Sequence, residues 1–234
     1  MSINYSKPSP EPKPTSGGSA GGGVNLSKVT LTKSSPTISL TKSGSGSGVL
    51  RVNLNWKTSA PSGGRGGGLF GFGKASAGKI DLDLGCLYEF SDGSKGVVQA
   101  LGNAFTSQQT FRTEPVIWLD GDDRSGQNTD GENLFVDLSA GKNIKRIIVF
   151  AFIYEGTPNW VSAEAVATLH PVNGAPIEIL LDEADTSSPL CAIALIDNAR
   201  GELDVRREVR YIKGAQSALD DAYGWGMNWS RGRK

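Results

Sequence analysis

Short runs in which apolar and polar residues alternate recur along most of the chain, and they constrain its fold more than any other feature. In the clearest run, Val49–Trp56, every second residue from Leu50 to Trp56 is apolar, which places the apolar side chains on one face of a strand. Further strand-like runs, most of them separated by Gly, Asn, Asp or Pro, are Val24–Lys33, Thr37–Lys42, Ile80–Phe90, Gly96–Leu101, Val116–Leu119, Leu134–Leu138, Ile144–Tyr154, Ala163–His170, Ile177–Leu181, Leu190–Ile196 and Leu203–Tyr211. The pattern predicts an all-β fold, a two-sheet antiparallel β-sandwich, in which only Gln216–Tyr223 is helical.

The two ends of the chain differ from this central pattern. Residues 1–23 are rich in Pro, Ser, Gly and Lys and carry too little apolar surface to offset the entropy of ordering. We therefore predict a disordered N-terminal tail over 1–23 and one β-sandwich domain over 24–234. The aromatic, glycine-broken segment Tyr223–Trp229 is expected to fold back onto that domain.

Composition excludes several classes of protein. The 24 Lys and Arg balance the 24 Asp and Glu, which argues against a dedicated nucleic-acid binder. Cys86 and Cys191 lie inside apolar runs and are predicted to be buried, reduced thiols. The first residues lack the apolar core of a signal peptide, and no apolar run approaches the length of a membrane span, so we expect a cytoplasmic protein.

The segment 118–133 concentrates carboxylates between two apolar runs. Carboxylates this close repel one another unless a cation neutralises them, and hard oxygen ligands on glycine-containing loops suit calcium, which takes six to eight oxygens. The spacing is not that of an EF-hand, and predicted strands rather than helices flank it. A solvated acidic turn is the alternative, but the number and confinement of the acids favour a metal. The acids are Asp120, Asp122, Asp123, Asp130 and Glu132.

A second acidic pair, Asp81 and Asp83, lies upstream. Because Ile80, Leu82 and Leu84 alternate with these acids, both carboxylates are expected on the same face of a strand, where like charges cost stability. The pair is either an exposed strand face or a set of ligands that meets the acidic segment from an adjacent strand, and spacing alone does not choose between them.

Other polar motifs carry weaker signals. The run Val205–Arg210 favours a solvated strand face, with cross-strand pairing to an acid as the alternative. Gly63–Gly68 lacks the lysine and the helix of a phosphate-binding loop, although an RNA contact there and at Arg231–Lys234 is an alternative. The single histidine, His170, has no neighbouring Cys or Ser in sequence, which makes zinc or triad chemistry unfavourable.

An ordered set of segments resembles the TerD-like tellurium resistance and stress-response family, and within it the TerA branch. The resemblance extends from Val24 to the end, which is roughly nine-tenths of the chain, and the order of the matching segments is more specific than any one of them. They are Val24–Lys28, Ser39–Lys42, Leu54–Trp56, Asp81–Asp83, Ser91–Lys95, Gly121–Gly126, Asp130–Leu134, Phe150–Gly156 and Asp220–Trp229.

The resemblance implies a β-sandwich that binds calcium. The chain departs from the TerD pattern in three places. Asp123 stands where Asn is usual, Gly131 stands where a second Asp is usual, and the loop is one residue shorter. One calcium ion is therefore expected, with two as the alternative. The glycine-rich insertion at 61–78 fits the TerA branch. The ligands carried over are Asp81, Asp83, Asp122, Asp123, Asp130 and Glu132.

Together, the residues and the resemblance predict a non-enzymatic, calcium-binding protein of the tellurium resistance and stress-response system. Calcium would order the acidic loop against the strand of Asp81 and Asp83 and present a surface to partner proteins. The implied partners are other proteins of that system, with the inner face of the membrane as one location, and no nucleic acid is expected. The rivals are a metal-independent interaction scaffold, a Mg²⁺-dependent phosphoryl-transfer enzyme and an RNA-binding protein.

Overall fold

The computed structural model describes residues 28–57, 80–121, 131–156, 158–198 and 200–230. Within these ranges the α-helices are α1 (Trp160–Ala163) and α2 (Gln216–Tyr223), and 3-10 helices cover Leu101–Asn103 and Leu138–Asn143. The strands are β1 (Val29–Thr30), β2 (Thr37–Ser39), β3 (Val49–Asn55), β4 (Asp81–Phe90), β5 (Lys95–Gln99), β6 (Thr110–Phe111), β7 (Glu114–Pro115), β8 (Ile117–Leu119), β9 (Glu132–Asp137), β10 (Ile144–Glu155), β11 (Val166–His170), β12 (Ile177–Leu180), β13 (Leu190–Asp197) and β14 (Asp204–Ile212).

Two six-stranded sheets contain most of these strands. Sheet I has the order β1-β12-β11-β3-β9-β8, sheet II has the order β2-β14-β13-β10-β4-β5, and β6 pairs with β7 as a separate hairpin. All neighbours are antiparallel except β1 and β12, which run parallel. A long connection separates β1 from β12 in sequence, so no short hairpin forces an antiparallel pairing there. The predicted two-sheet sandwich is confirmed.

The main core lies between the two sheets. Leu50, Val52 and Leu54 of β3 are fully buried in one apolar cluster with Leu82 and Leu84 of β4. Burial of each such side chain stabilises the fold by about 1.5–3 kcal/mol, so the alternation in β3 fixes which face of sheet I points inward. The alternate residues of both strands point away from this core.

A second apolar cluster covers the outer face of sheet II. Leu87 and Phe150 pack there against Leu219 of α2 and against Trp225, which is 0 % exposed. The indole nitrogen of Trp225 donates to the carbonyl of Tyr88 at 3.1 Å. The prediction that Tyr223–Trp229 folds back onto the domain is confirmed.

The helices correct one expectation. The prediction of a helix at Gln216–Tyr223 is confirmed, but the prediction that no other segment is helical was wrong, because α1 forms one turn at Trp160–Ala163. The side chain of Asn159 caps it by accepting from the amide of Ser162 at 3.1 Å. Glu164 then takes φ +44°, so the strand expected from Ala163 begins only at Val166.

Several sequence-based expectations fall outside the described residues. These are the tail over 1–23, the glycine-rich stretch 61–78 and the basic residues 231–234. In the described part of the chain both cysteines are free and buried, as predicted. Neither helix described is long and apolar enough to cross a membrane.

Candidate functional site

Three of the six predicted ligands are described, and they lie at the same end of the sandwich. Asp81 and Asp83 open β4, where they pair in register with Glu155 and Phe152 of β10. Glu132 opens β9 and pairs with Leu54 of β3. Asp122, Asp123 and Asp130 lie outside the described residues. The structure therefore draws its described carboxylates from both sheets, one strand from each.

Asp83 and Glu132 are buried, and Asp81 is partly buried. Asp83 is 5 % exposed and Glu132 is 4 % exposed, so Asp83 does not belong to a solvated strand face, which was one of the two readings of the Asp81–Asp83 pair. Removing a carboxylate from water is costly unless hydrogen bonds or a positive charge compensate it. This end of the sandwich therefore concentrates negative charge that the fold must stabilise.

Glu132 connects the two sheets directly. Its Oε2 accepts a hydrogen bond from the backbone amide of Leu84 at 2.6 Å. β5 ends at Gln99, opposite Gly85, so the amide of Leu84 lies just beyond the end of the neighbouring strand. A charged acceptor makes a short, strong hydrogen bond to such an amide. The sequence pattern indicates Glu132 only as a metal ligand and gives no sign of this structural role.

The described carboxylates approach β4 from different sides. Leu82 and Leu84 belong to the inter-sheet core, so the alternating Asp83 faces away from it. Glu132 alternates instead with Leu134 of that core and faces the inter-sheet side. Among the residues in the described ranges, no three His, Cys, Asp or Glu side chains group closely enough to hold a metal. A shared ion would have to lie at the edge of β4, past the end of β5.

Gly131 explains one departure from the family pattern. Its backbone has φ +70°, a conformation that favours glycine. A Cβ placed on this residue would overlap the carbonyl oxygen of Leu54. The backbones of the returning loop and of β3 therefore approach too closely for any side chain, and the second Asp that the resemblance leads one to expect has no room on this backbone path.

A polar network fixes the two stems of the acidic segment. Asp120 Oδ2 accepts from the amide side chain of Asn133 at 2.7 Å, and the amide of Asp120 donates to the carbonyl of Asn133 at 3.2 Å. Asn133 Oδ1 in turn accepts from Arg51 at 3.2 Å and from Asn53 at 3.0 Å. The chain therefore leaves the sheet after Asp120 and returns to it before Asn133 at a single, hydrogen-bonded point.

The cysteine, histidine and arginine side chains that could support other kinds of chemistry lie in environments that differ from the acidic site. Burial raises the pKa of the Cys86 and Cys191 thiols far above the usual range, which makes them poor nucleophiles and poor reductants. Burial, and then the charge of Arg51, lowers the pKa of His170. On β14, Arg206 and Arg210 are exposed and Arg206 pairs with Glu208 at 2.6 Å. The hydroxyl of Tyr223 donates to Glu208 at 2.8 Å, so α2 partly covers the strand face that was expected to be solvated.

The chain is similar in sequence to a protein of known family. No protein-family model matches it. Over 185 residues, or 79% of its length, it is 46% identical to tellurium resistance protein TerA of Alcaligenes sp. The chain spans 52% of that relative's length. A crystal structure of a homologue of telluride resistance protein (TerD) from Streptomyces coelicolor A3(2) aligns with a TM-score of 0.47 and 17% identity, over 74% of this chain and 94% of that one.

Proposed function

We propose that this chain, which belongs to the Ter/TerD-like tellurium resistance family, is a calcium-binding, non-enzymatic interaction module. The observation that carries the proposal is the burial of Asp83 and Glu132 at the end of the sandwich where the acidic segment leaves and returns. They come from different sheets, so a cation at this end would join the two sheets as well as neutralise charge. The partners we expect are other proteins of the same resistance system, inside the cell.

The donor set supports calcium over other metals. The described candidates are carboxylates, with one His in the whole sequence and both cysteines buried in the core. Hard oxygen ligands on strands and a loop can supply the six to eight irregular contacts of Ca²⁺, whereas Mg²⁺ demands a near-ideal octahedron. The chain's oxygens suit the more adaptable ion.

The backbone at Gly131 supports one ion rather than two. A residue without a side chain at this position supplies no carboxylate, and the close approach to Leu54 prevents substitution. Asp81, Asp83 and Glu132, together with the acids of residues 122–130, would then serve a single site.

The described residues would hold the strand edge and the loop stems in place, and the bound ion would neutralise their charge. Glu132 already holds the edge of β4 through the Leu84 amide, and Asp120 with Asn133 holds the loop stems together. When bound, calcium would supply positive charge and coordinate bonds to oxygens from both sheets. The loop between the stems would then present a fixed surface to a partner, and stability would rise with calcium concentration by mass action.

A calcium titration read by thermal unfolding tests the proposal. At a calcium concentration of 100 Kd, stability should rise by about 2.7 kcal/mol, which corresponds to a Tm increase of about 5–10 °C for a domain of this size. Asp83→Asn should lose most of the increase, read against the same variant in chelator. The matched control is Asp92→Asn, in the turn at the other end of β4, which should respond like wild type. Failure of millimolar Ca²⁺ to raise the Tm of wild type would overturn the proposal.

A metal-independent scaffold is the second candidate, and the Glu132–Leu84 hydrogen bond favours it. That bond stabilises one buried carboxylate with protein groups. The scaffold predicts that a co-expressed protein of the resistance system stays bound in excess chelator. Loss of that partner on chelation, with recovery on adding calcium, would reject the scaffold in favour of the calcium-ordered module.

A further inference from the structure

A cavity of ≈ 1040 Å³ lies beside β5 and the start of α2. The residues that line it include Lys95 of β5, Gln216 of α2 and Trp229 of the C-terminal segment. The turn after β4 also lines it, whereas Asp81 and Asp83 open β4 at its other end. A ligand in this cavity would therefore bind apart from the candidate calcium site, and its binding goes beyond the function proposed above.

The first turn of α2 leaves backbone amides without an acceptor. A helix begins with amides that have no acceptor inside the helix, and Ser, Thr, Asp or Asn at the N-cap normally accepts from them. Here the N-cap is Ala215, which has no side-chain oxygen, and the first turn contains no acidic residue. In the described part of the chain the amides of Gln216 and Ser217 donate to no protein group. All three residues line the cavity, so these amides border it.

Two buried glutamines also bring unpaired polar groups to the cavity. Gln216 is 5 % exposed, and within the described ranges its side chain forms no hydrogen bond. Gln99 is 8 % exposed, and its Oε1 has no hydrogen-bond partner among the described residues. Most buried polar groups in native proteins are paired, so a buried group without a partner indicates a ligand or water that satisfies it. Both residues line the same cavity.

Positive charge exceeds negative charge at this cavity. Among the described residues that line it, Lys95 alone is charged. Its ammonium donates to the carbonyl of Trp225 and lies 3.9 Å from Glu89. Glu89 is already paired with Lys145 at 2.7 Å and with Arg146 at 2.6 Å, so one carboxylate meets three cations. The excess charge and the positive end of the α2 dipole favour an anionic ligand.

Asp220 holds the C-terminal part of the lining in place. Its Oδ1 accepts from the amide of Gly226 at 2.6 Å, and its Oδ2 accepts from the amide of Met227 and the indole of Trp229, both at 2.9 Å. Because Asp220 belongs to α2, one helix supplies the uncapped amides and positions the C-terminal residues that line the cavity. Little ordering is then needed when a ligand enters, which favours affinity.

We propose that this cavity binds a phosphate monoester of a small molecule, with the phosphate group at the N-terminus of α2. Unpaired amides and the helix dipole make a helix N-terminus an anion site, and the hydroxyl of Ser217 and the amide of Gln216 add side-chain donors. The cavity volume is that of a small-molecule site, much larger than a bare phosphate needs. The rest of the ligand would lie beside Trp229, where Gln99 Oε1 accepts from a hydroxyl or an amine.

Calorimetric titration of the full chain with inorganic phosphate and with phenyl phosphate, in calcium-free buffer at constant ionic strength, tests the proposal. We expect phenyl phosphate to bind at least about tenfold more tightly, because its ring buries apolar surface that the bare anion lacks. Gln216→Met keeps the size of the side chain but removes its donor, and it should weaken both ligands several-fold. Calcium is absent throughout, so the outcome does not depend on the calcium-binding function.

Ala215→Asp is the sharpest variant. The new carboxylate accepts from the first amides of α2 and repels the anion, so the affinity for both ligands should fall at least about tenfold. The same change caps the helix and should raise the urea midpoint of unfolding, which separates lost binding from misfolding. Asn173→Asp is the matched control, because it adds the same charge in the exposed turn between β11 and β12, and it should bind like wild type.

Four results would overturn the proposal. Wild type could fail to bind either ligand at millimolar concentration. Equal affinity for the two ligands would reject the ester in favour of the free anion. Ala215→Asp could bind like wild type, which would place the anion away from α2. A lowered urea midpoint in Ala215→Asp would show that protein groups already satisfy the amides.

Discussion

The guanidinium of Arg146 lies 3.9 Å from the ring centroid of Trp225 and anchors the C-terminal segment to sheet II. Its Nε donates to Glu89 at 2.6 Å, and its other nitrogens donate to the carbonyls of Tyr223 and Gly224 at 3.0 and 3.1 Å. One side chain therefore binds a buried carboxylate of β4, the end of α2 and an aromatic ring. Only a planar, multiply donating cation can make these contacts together.

Replacing Arg146 with lysine should destabilise the protein by about 1–3 kcal/mol, because a point charge keeps the attraction to Glu89 but loses the stacking and carbonyl contacts. Urea unfolding at neutral pH measures the loss. Arg206→Lys is the matched control, since Arg206 pairs with Glu208 on an exposed face, and it should change stability by less than about 1 kcal/mol. Equal losses in the two variants would contradict the role given to Arg146.

Acid should release the C-terminal segment through Asp220. Burial would raise the pKa of Asp220, but hydrogen bonds from the amide of Met227, the indole of Trp229 and the amide of Gly226 outweigh it and hold the pKa below its ordinary value. A carboxyl whose pKa is lowered in the folded state contributes stability above its unfolded pKa, and the contribution is lost as pH falls through the folded one.

Wild type should therefore lose more unfolding free energy between pH 7 and pH 3 than Asp220→Asn, which has no charge to lose at this position. The neighbouring Asp221→Asn is the control, because Asp221 is exposed on α2, and its loss should match that of wild type. Urea titrations at several pH values give the comparison. Parallel pH profiles for wild type and Asp220→Asn would exclude Asp220 as the group responsible.

Alternation in the sequence predicts most of the fold because each strand buries one face. The alternation in β3 places Leu50, Val52 and Leu54 correctly, and the break at Gly224 correctly ends α2. The one-turn helix α1 was missed because four residues carry no helical period, and its signal is the single cap at Asn159. The parallel pairing of β1 depends on a distant strand that local pattern does not encode.

The candidate site was predictable in part. Carboxylate clustering identified Asp83 and Glu132, but not that they come from opposite sides of β4, because which sheet a strand joins is decided by long-range packing. The bond from Leu84 to Glu132 depends on where β5 ends, because a longer β5 would pair with the Leu84 amide in place of Glu132. The role of Asn133 was also not predictable from the sequence, because its contacts with Arg51 and Asp120 are made across neighbouring strands.

Glu132 should be needed for stability even without calcium. In chelator, Glu132→Ala should cost about 1–3 kcal/mol or more, because it leaves the Leu84 amide without its acceptor in a buried place. Glu132→Gln keeps an acceptor and should cost less. Glu178→Ala is the surface control, where an exposed pair with Lys28 is lost at a cost of at most about 1 kcal/mol. A loss of stability in Glu132→Ala as small as that in the surface control would show that the hydrogen bond contributes little.

Two glycines with similar backbone angles should respond differently to alanine. Gly131 has φ +70° and Gly102 has φ +78°. A Cβ added at Gly131 would overlap the carbonyl of Leu54, whereas a Cβ added at Gly102 would have no neighbouring atom within 4 Å. Gly102→Ala should cost about 1 kcal/mol, the strain of a positive φ alone. Gly131→Ala should cost at least about 2 kcal/mol more. Chemical denaturation of the pair distinguishes steric overlap from strain, and equal costs would remove the overlap argument.

The close approach of Gly131 to Leu54 also limits how this lineage can change. A single codon change at 131 can introduce an acid, but the product must first move the backbone of β3 or of the loop. A gain of the second carboxylate at this position therefore requires a compensating backbone change as well as the point mutation. Descendants of this chain are expected to keep glycine here for as long as β3 and β9 remain neighbours.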